Sequence, residues 1–370
     1  MIPVFTPTIT KKDIFFVMKN MLKNNISGTS PVVNQFEQNF SDYFNRDYGV
    51  SLSNGSVALD VAFKLFNFKE GDEVILPSFT IISCLSAVIR SGATPVFCDV
   101  DFDTWNMTLE DVKRVYTKKT KAVLAVHTYG LPSEISEISD FCKEQNLFLI
   151  EDTAEAHGVT IDGKKCGSFG DVSTFSFYAN KHVTTGEGGM ILTDSKELSN
   201  QAKKIRNLDF DSNKRFWHEN LFWNYRLGGL QASLGISQLG NLGSTIDFKI
   251  NQGNYYSNIF KNFDELVYLP KIKHKNIQNH YWVYGLVLKR EGIREKVTNE
   301  LFENNIETRP FFHPLHLQPA LPEKFKSNVD LSKSEYIGNN GFYIPMGKHI
   351  SKNLQKKIAN LVVEAISKFT

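Results

Sequence analysis

Lys181 follows an apolar run, Val172–Phe177, and precedes a glycine-rich turn, Thr184-Thr185-Gly186-Glu187-Gly188-Gly189. A lysine in a desolvated pocket loses basicity and becomes a nucleophilic amine able to form a Schiff base. A lone lysine is otherwise a solvated side chain, so the chemical reading needs partners. The segment Leu149-Ile150-Glu151-Asp152-Thr153-Ala154-Glu155-Ala156-His157-Gly158 places acids where another apolar run ends. In an open α/β sheet, ligands bind at the carboxyl ends of the strands. A carboxylate buried there must be paired, because burying it alone is costly. A protonated pyridine nitrogen would suit Asp152; so would a role as cap of the next helix. Ser53-Asn54-Gly55-Ser56-Val57-Ala58-Leu59 is a polar turn. Its hydroxyls and free N–H groups fit a phosphate cradle or a capped helix start. The glycine run is not GxGxxG and has no βα fingerprint before it, which disfavours nicotinamide binding.

These segments need a scaffold. From residue 49, short apolar runs alternate with amphipathic stretches. The runs are Val50–Leu52, Glu73–Leu76, Pro95–Cys98, Ala122–His127, Leu147–Glu151, Val172–Phe177 and Met190–Thr193. Most are continuous, which predicts strands buried on both faces. Helical spacing falls at 12–24, 33–46, 56–67, 81–91, 109–115, 133–145 and 195–207. Strand–helix repetition predicts an α/β domain with a largely parallel sheet. After about residue 228 the rhythm changes to helices at 228–240 and 244–262, a strand at Tyr281–Leu288, a helix at 292–304, a strand at Glu307–Phe312 and a terminal helix at 352–368. The predicted division is a large domain, 1–245, and a smaller α+β domain, 246–370.

The 370 residues are 41% hydrophobic and 22% charged, enough apolar content for a sizeable core. Forty-two basic against 40 acidic residues leave a net charge of +2, with no field for nucleic acid or an anionic membrane. No apolar run reaches the ~20 residues of a membrane helix. The N-terminus lacks a basic segment followed by an apolar core, so no secretory leader is expected. Cys84, Cys98, Cys142 and Cys166 have neither CxxC spacing nor a histidine cluster. They read as buried small hydrophobes in a reducing cytoplasm, and no metal is expected.

In order, SNGSVAL, GDEVILPSFT, FLIEDTAEAHG, FGDVSTFSFYANKHVTTGEGGMI and NYRLGGLQASLGISQL resemble the DegT/DnrJ/EryC1/StrS family of sugar aminotransferases. The resemblance runs from about residue 3 to the C-terminus. It implies the aspartate-aminotransferase fold (fold type I) and pyridoxal 5′-phosphate. Lys181 would hold the cofactor and shuttle the proton. Asp152 would face the pyridine nitrogen and Glu155 the 3-hydroxyl. Gly55, Ser56 and Ser176 would hold the phosphate. Asn224 would reach the phosphate of a neighbouring subunit, implying a homodimer. Arg226, Arg309 and His313 are the substrate-binding residues implied; for Arg226 a structural ion pair stands beside that reading. TGEGGM, His280-Tyr281-Trp282 and the segment Ile306–Pro314 are most similar to relatives that aminate C4 of GDP-4-keto-6-deoxymannose, with L-glutamate as the implied donor. A related sugar 3-dehydratase carries histidine at the lysine position; here Lys181 is present and His182 follows it. One position departs from the family pattern. Ile81 stands where an aromatic residue often stacks on the pyridine ring, leaving Phe79 or His157 as the side chains that could compensate.

Overall fold

The computed structural model describes residues 1–210, 214, 216–326 and 329–370. Seven strands form the main sheet: β1 (Tyr48–Leu52), β2 (Glu73–Pro77), β3 (Thr94–Cys98), β4 (Thr120–Val126), β5 (Phe148–Asp152), β6 (Val172–Ser176) and β7 (Gly189–Thr193). Their order is β1-β7-β6-β5-β4-β2-β3. The pairs from β6 through β3 are parallel. β7 runs antiparallel to both β1 and β6. The expectation of a largely parallel sheet holds, with β7 the antiparallel strand, whose direction is invisible in a doubly buried apolar run.

Alternate residues of the strands enter different cores. Ala122, Leu124 and Val126 of β4 pack with α3 (Gly55–Lys64) and α4 (Ile82–Arg90). Val123 and Ala125 pack on the opposite side with α5 (Leu109–Val115) and α6 (Ile135–Glu144). Helices therefore cover both faces, which is why the strands read as continuous apolar runs. α1 (Lys11–Leu22) and α2 (Pro31–Tyr43) precede the sheet, and α7 (Lys196–Arg206) follows it. The four cysteines are free and buried among these apolar clusters.

α8 (Gly229–Leu239) leads into α9 (Leu242–Phe260). α9 belongs to two cores. Leu242 and Ile246 pack with Phe36 and Phe40 of α2. Tyr256 and Phe260 pack with Tyr284 and Leu286. The second core lies between α9, α10 (Arg294–Glu303), α12 (Lys352–Ser367) and a small antiparallel sheet. That sheet contains β8 (Val267–Tyr268), β9 (Tyr284–Leu288), β10 (Arg309–Pro310) and β11 (Gly341–Ile344), in the order β8-β9-β11-β10. The N-terminus crosses to it: Ile2 bridges Ile306, and Met346 N donates to Val4 O.

Several boundaries differ from the sequence expectation. β9 starts at Tyr284 because Tyr281 has φ +49°, a left-handed conformation that cannot continue a strand. The strand expected at Glu307–Phe312 is ordered as such only at Arg309–Pro310. β8, β11 and α11 (Ser332–Asn340) were not anticipated; their apolar periods are too short to register. No helix among the described residues is long and apolar enough to cross a membrane.

Candidate active site

The carboxyl ends of β4, β5 and β6 open on one cleft of about 500 Å³. β5 ends at Asp152 and β6 at Ser176. Across from them, α3 begins at Gly55. Asn54 caps that helix, its Oδ1 accepting from Val57 N at 2.9 Å. The first N–H groups of a helix have no intrahelical partner. Those of Gly55 and Ser56 have none among the described residues, and both residues line the cleft. The cap and the cradle are therefore one structure. A Cβ at Gly55 would stand 2.8 Å from Ser176 Cβ, so only glycine lets the helix start approach β6 this closely. Ser56 Oγ lies 2.7 Å from Ser83 Oγ.

Lys181 is the one lysine or arginine among the described residues lining the cleft. It sits just beyond β6, in a turn where Lys181 N donates to Tyr178 O. Its Nζ is 3.4 Å from Glu155 Oε1 and 3.8 Å from the centroid of the Trp282 ring. Burial pushes the amine below the usual lysine range, while Glu155 and Asp152 oppose the shift. Glu155 is pushed up to about 7 by burial, against the pull of Lys181. Its Oε2 accepts from Tyr129 N at 3.0 Å. Burial also raises Asp152. Asp152 Oδ1 accepts from Ala154 N at 3.1 Å, and Cys84 Sγ is 3.5 Å from Oδ2. That is thin support for a buried carboxylate, and a cation opposite it would complete the pairing.

Glu151, beside Asp152, is fully committed elsewhere. Its oxygens accept from the backbone N–H groups of Gly167, Phe169 and Gly170 and face His127 Nε2 at 2.9 Å. Ser133 N donates to His127 Nδ1, so Nε2 carries the proton toward Glu151. With Cys166 this is the cluster whose atoms come close enough for a metal. Glu151 and His127 are already hydrogen-bonded within the chain, and the pair reads as a structural anchor for the end of β5.

Of the other residues expected from sequence, the chain places four outside the cleft. Asn224 is exposed, with its Oδ1 accepting from Arg226 N at 3.2 Å. Arg226 Nη1 donates to Asn207 Oδ1. Arg309 is exposed and pairs with Glu307 at 2.6 Å. His313 is exposed, and its carbonyl accepts from Gln318. Ile81 does line the cleft, 40% exposed, at the start of α4. Neither Phe79 nor His157 lines it. Phe79 is buried against Tyr129, Phe311 and Phe312, and His157 among Phe40, Phe175 and Phe177. His182 is buried beside the cleft, its Nε2 3.1 Å from His280 O.

An aromatic roof went unrecognised as a unit. Tyr343 of β11, Trp282 just before β9 and Phe312 just after β10 line the cleft. Tyr129 joins them to the floor: its ring packs on all three, its OH accepts from Phe312 N, and its N–H reaches Glu155. Tyr129 pays for this position with a left-handed backbone, φ +62°. The signal was available: Tyr129-Gly130 follows the carboxyl end of β4, the same edge that marks Asp152.

The chain matches the family model "DegT/DnrJ/EryC1/StrS aminotransferase family" over residues 8–363. It is 36% identical over 344 residues to the GDP-perosamine synthase of Escherichia coli O157:H7, covering 93% of each chain. It is 34% identical to that of Vibrio cholerae, covering 98% of each. A dTDP-4-dehydro-2,3,6-trideoxy-D-glucose 4-aminotransferase of Saccharopolyspora spinosa is 33% identical, with 99% of this chain and 97% of that one covered. Among solved structures, an aminotransferase from Psychrobacter cryohalolentis superposes with TM-score 0.90 at 25% identity, covering 99% of both chains. A Streptococcus pneumoniae structure, 22% identical, has the same fold in its PLP and PMP forms, with TM-scores of 0.90 and 0.91 and 99–100% of both chains covered.

Pyridoxal phosphate fits the residues present. The cleft offers an under-supported buried carboxylate, a basic amine lowered by burial, and free helix N–H groups beside a glycine that a Cβ would obstruct. Two further polar atoms on its walls, Asn180 Oδ1 and Trp282 Nε1, are buried without a partner among the described residues. The chain belongs to the DegT/DnrJ/EryC1/StrS aminotransferase family, with the type I fold and the pyridoxal phosphate dependence of that family.

Proposed function

We propose that the enzyme moves the amino group of L-glutamate to C4 of GDP-4-keto-6-deoxy-D-mannose, giving GDP-perosamine for a surface polysaccharide such as O-antigen. The observation that carries this is a buried Lys181 amine beside Glu155 and Asp152, in a chain whose relatives at 34–36% identity are named GDP-perosamine synthase. His182 is engaged by the His280 carbonyl off the cleft, which favours transamination through Lys181 over a histidine-based dehydration.

When bound, pyridoxal phosphate supplies the electron sink that makes the donor α-proton removable. Lys181 then takes the α-proton of glutamate, and in the second half it returns a proton to C4 of the sugar. Burial lowers its pKa, which favours the neutral form that takes the proton. Asp152 would face the pyridine nitrogen and Glu155 the 3-hydroxyl, and Gly55, Ser56 and Ser176 would hold the phosphate. Trp282, Phe312 and Tyr343 exclude water from above. Donor and sugar use one cleft in turn, so the kinetics are ping-pong. Asn224 completes the phosphate site across the interface of a cytoplasmic homodimer. Arg226, Arg309 and His313 bind the sugar nucleotide or the donor carboxylate from outside the single-chain cleft.

The test is an absorbance titration of the loaded protein. L-glutamate should abolish the resting cofactor band, and GDP-4-keto-6-deoxymannose should restore it; Lys181→Ala should do neither. Loss without restoration moves the substrate to another keto sugar nucleotide, such as the dTDP-linked class of the Saccharopolyspora relative. No response to any amino donor sinks the transamination.

A further inference from the structure

α9 carries a lysine that the proposed reaction leaves unused. Lys249 Nζ donates to the carbonyl of Trp282 at 2.6 Å. On the other side of the same residue, Lys181 Nζ lies 3.8 Å from the indole centroid. Both amines also line one small cavity of about 150 Å³ with Asn180 and His182. Trp282 is thus gripped by its main chain on one side and covers the reactive amine with its ring on the other.

The grip is needed where it falls. Tyr281, the residue before Trp282, is left-handed at φ +49°, an outlier for a bulky side chain that its surroundings must enforce. Asn279 Oδ1 accepts from Tyr281 N, and Gly130 O accepts from His280 N. Lys249 supplies the restraint on the far side. It is a costly one, since a buried ammonium held by one carbonyl is less favourable than an apolar side chain of the same length. No carboxylate is among the charges acting on it; burial and then Lys181 lower it to about 7.

We propose that Lys249 is a positioning residue for Lys181: its bond to the Trp282 carbonyl keeps the indole over the Lys181 amine and water away from it. The inference rests on Lys181 being the reactive amine. The charged and titratable groups facing Lys181 are Glu155, Asp152, His157 and, through Trp282, Lys249. Those facing Lys249 are Lys181 and His182, with Lys348 on the same cavity wall. The sign follows. Burial lowers the Lys181 amine, and the two carboxylates raise it. Freeing the indole readmits water and leaves the carboxylates in place, so the amine becomes more basic.

The experiment labels the full chain in its pyridoxamine phosphate form, in which Lys181 is not covalently occupied. Trinitrobenzenesulfonate is applied across a pH series, and the Lys181 peptide is quantified by mass spectrometry against the exposed Lys118. Lys249→Met should move the half-labelling pH of Lys181 upward by about half a unit, so that labelling at pH 7 is about threefold slower. Lys249→Arg keeps a donor and should restore the wild-type profile. A purely structural role would lower the melting temperature and leave the profile unmoved, overturning the proposal; so would an arginine variant that behaves like methionine. Lys249→Met also removes a positive charge, which by itself raises Lys181, so Trp282→Leu with Lys249 in place must show the same upward shift, and an unshifted profile there overturns the proposal. Labelling reads the amine itself. Failure to aminate GDP-4-keto-6-deoxymannose would sink the substrate reading and leave this result standing.

Discussion

Asp152 and His157 sit five residues apart and do opposite things with burial. Asp152 is buried and kept available; its pKa is raised by desolvation because the chain gives it little to bind. Replacing it with asparagine removes a costly charge, so Asp152→Asn should melt at or above the wild-type temperature. With Asp152 as the proposed partner of the pyridine nitrogen, the same change should lower turnover ~100-fold or more with the cofactor still bound. Calorimetry and steady-state kinetics on one preparation check both halves; an active variant would remove Asp152 from the mechanism. His157 is buried for packing, ringed by Phe40, Phe175 and Phe177, and burial depresses it to about 3. Its unfolded pKa is about 6.5. Between these values the unfolded chain binds the extra proton, so stability is full above the upper value and is lost as pH falls through the window. His157→Leu should flatten that loss. Melting temperatures at pH 5 and pH 7 should differ less in the variant than in wild type; an equal difference would mean that other groups carry the acid sensitivity.

α3 shows how one element serves stability and binding together. Asn54 closes its first turn, and the N–H groups of Gly55 and Ser56 are left at the cleft wall, where the proposed anion site would use them. The polar turn was legible in the sequence because capping chemistry is local. What local pattern could not show is that Gly55 abuts Ser176, from a strand more than a hundred residues away. Gly55→Ala would place a methyl 2.8 Å from Ser176 Cβ and push the helix start off β6. Equilibrium dialysis should find pyridoxal phosphate affinity reduced about tenfold or more, while an exposed or poorly formed cradle would leave it unchanged. The strands teach a similar lesson. β4 and β5 were legible as doubly buried runs. The reversal of β7 was not, because an apolar run has no direction until its neighbours are known.

At the scale of the molecule, the residues of the cleft floor were readable as strand ends and those of its roof were not. Lys181, Asp152, Glu155 and Ser176 end or follow strands legible as apolar runs, whereas Trp282, Phe312 and Tyr343 join Phe79, Trp105 and Tyr129 in an aromatic cluster made only by long-range packing. Asn224, Arg226, Arg309 and His313 remain away from the cleft of one chain, which is where a shared-site dimer would leave residues that serve a neighbour. Asn224 lies in a segment with Leu221 95% and Trp223 68% exposed, and α1 exposes Phe15, Met18 and Leu22. Apolar surface of this kind is what the proposed homodimer would cover. If Asn224 binds the phosphate across that interface, the sites obey an arithmetic a monomer cannot. Lys181→Ala and Asn224→Asp should each be inactive, the second by repelling the phosphate. Mixed after mild dissociation, half the dimers would be hybrids. Each hybrid would hold one intact site, built from Lys181 of one chain and Asn224 of the other, and one doubly broken site. Activity should therefore return to about a quarter of wild type at equal mixing. No recovery, with hybrid dimers confirmed by native mass spectrometry, would place Asn224 in its own chain's architecture and leave each cleft complete by itself.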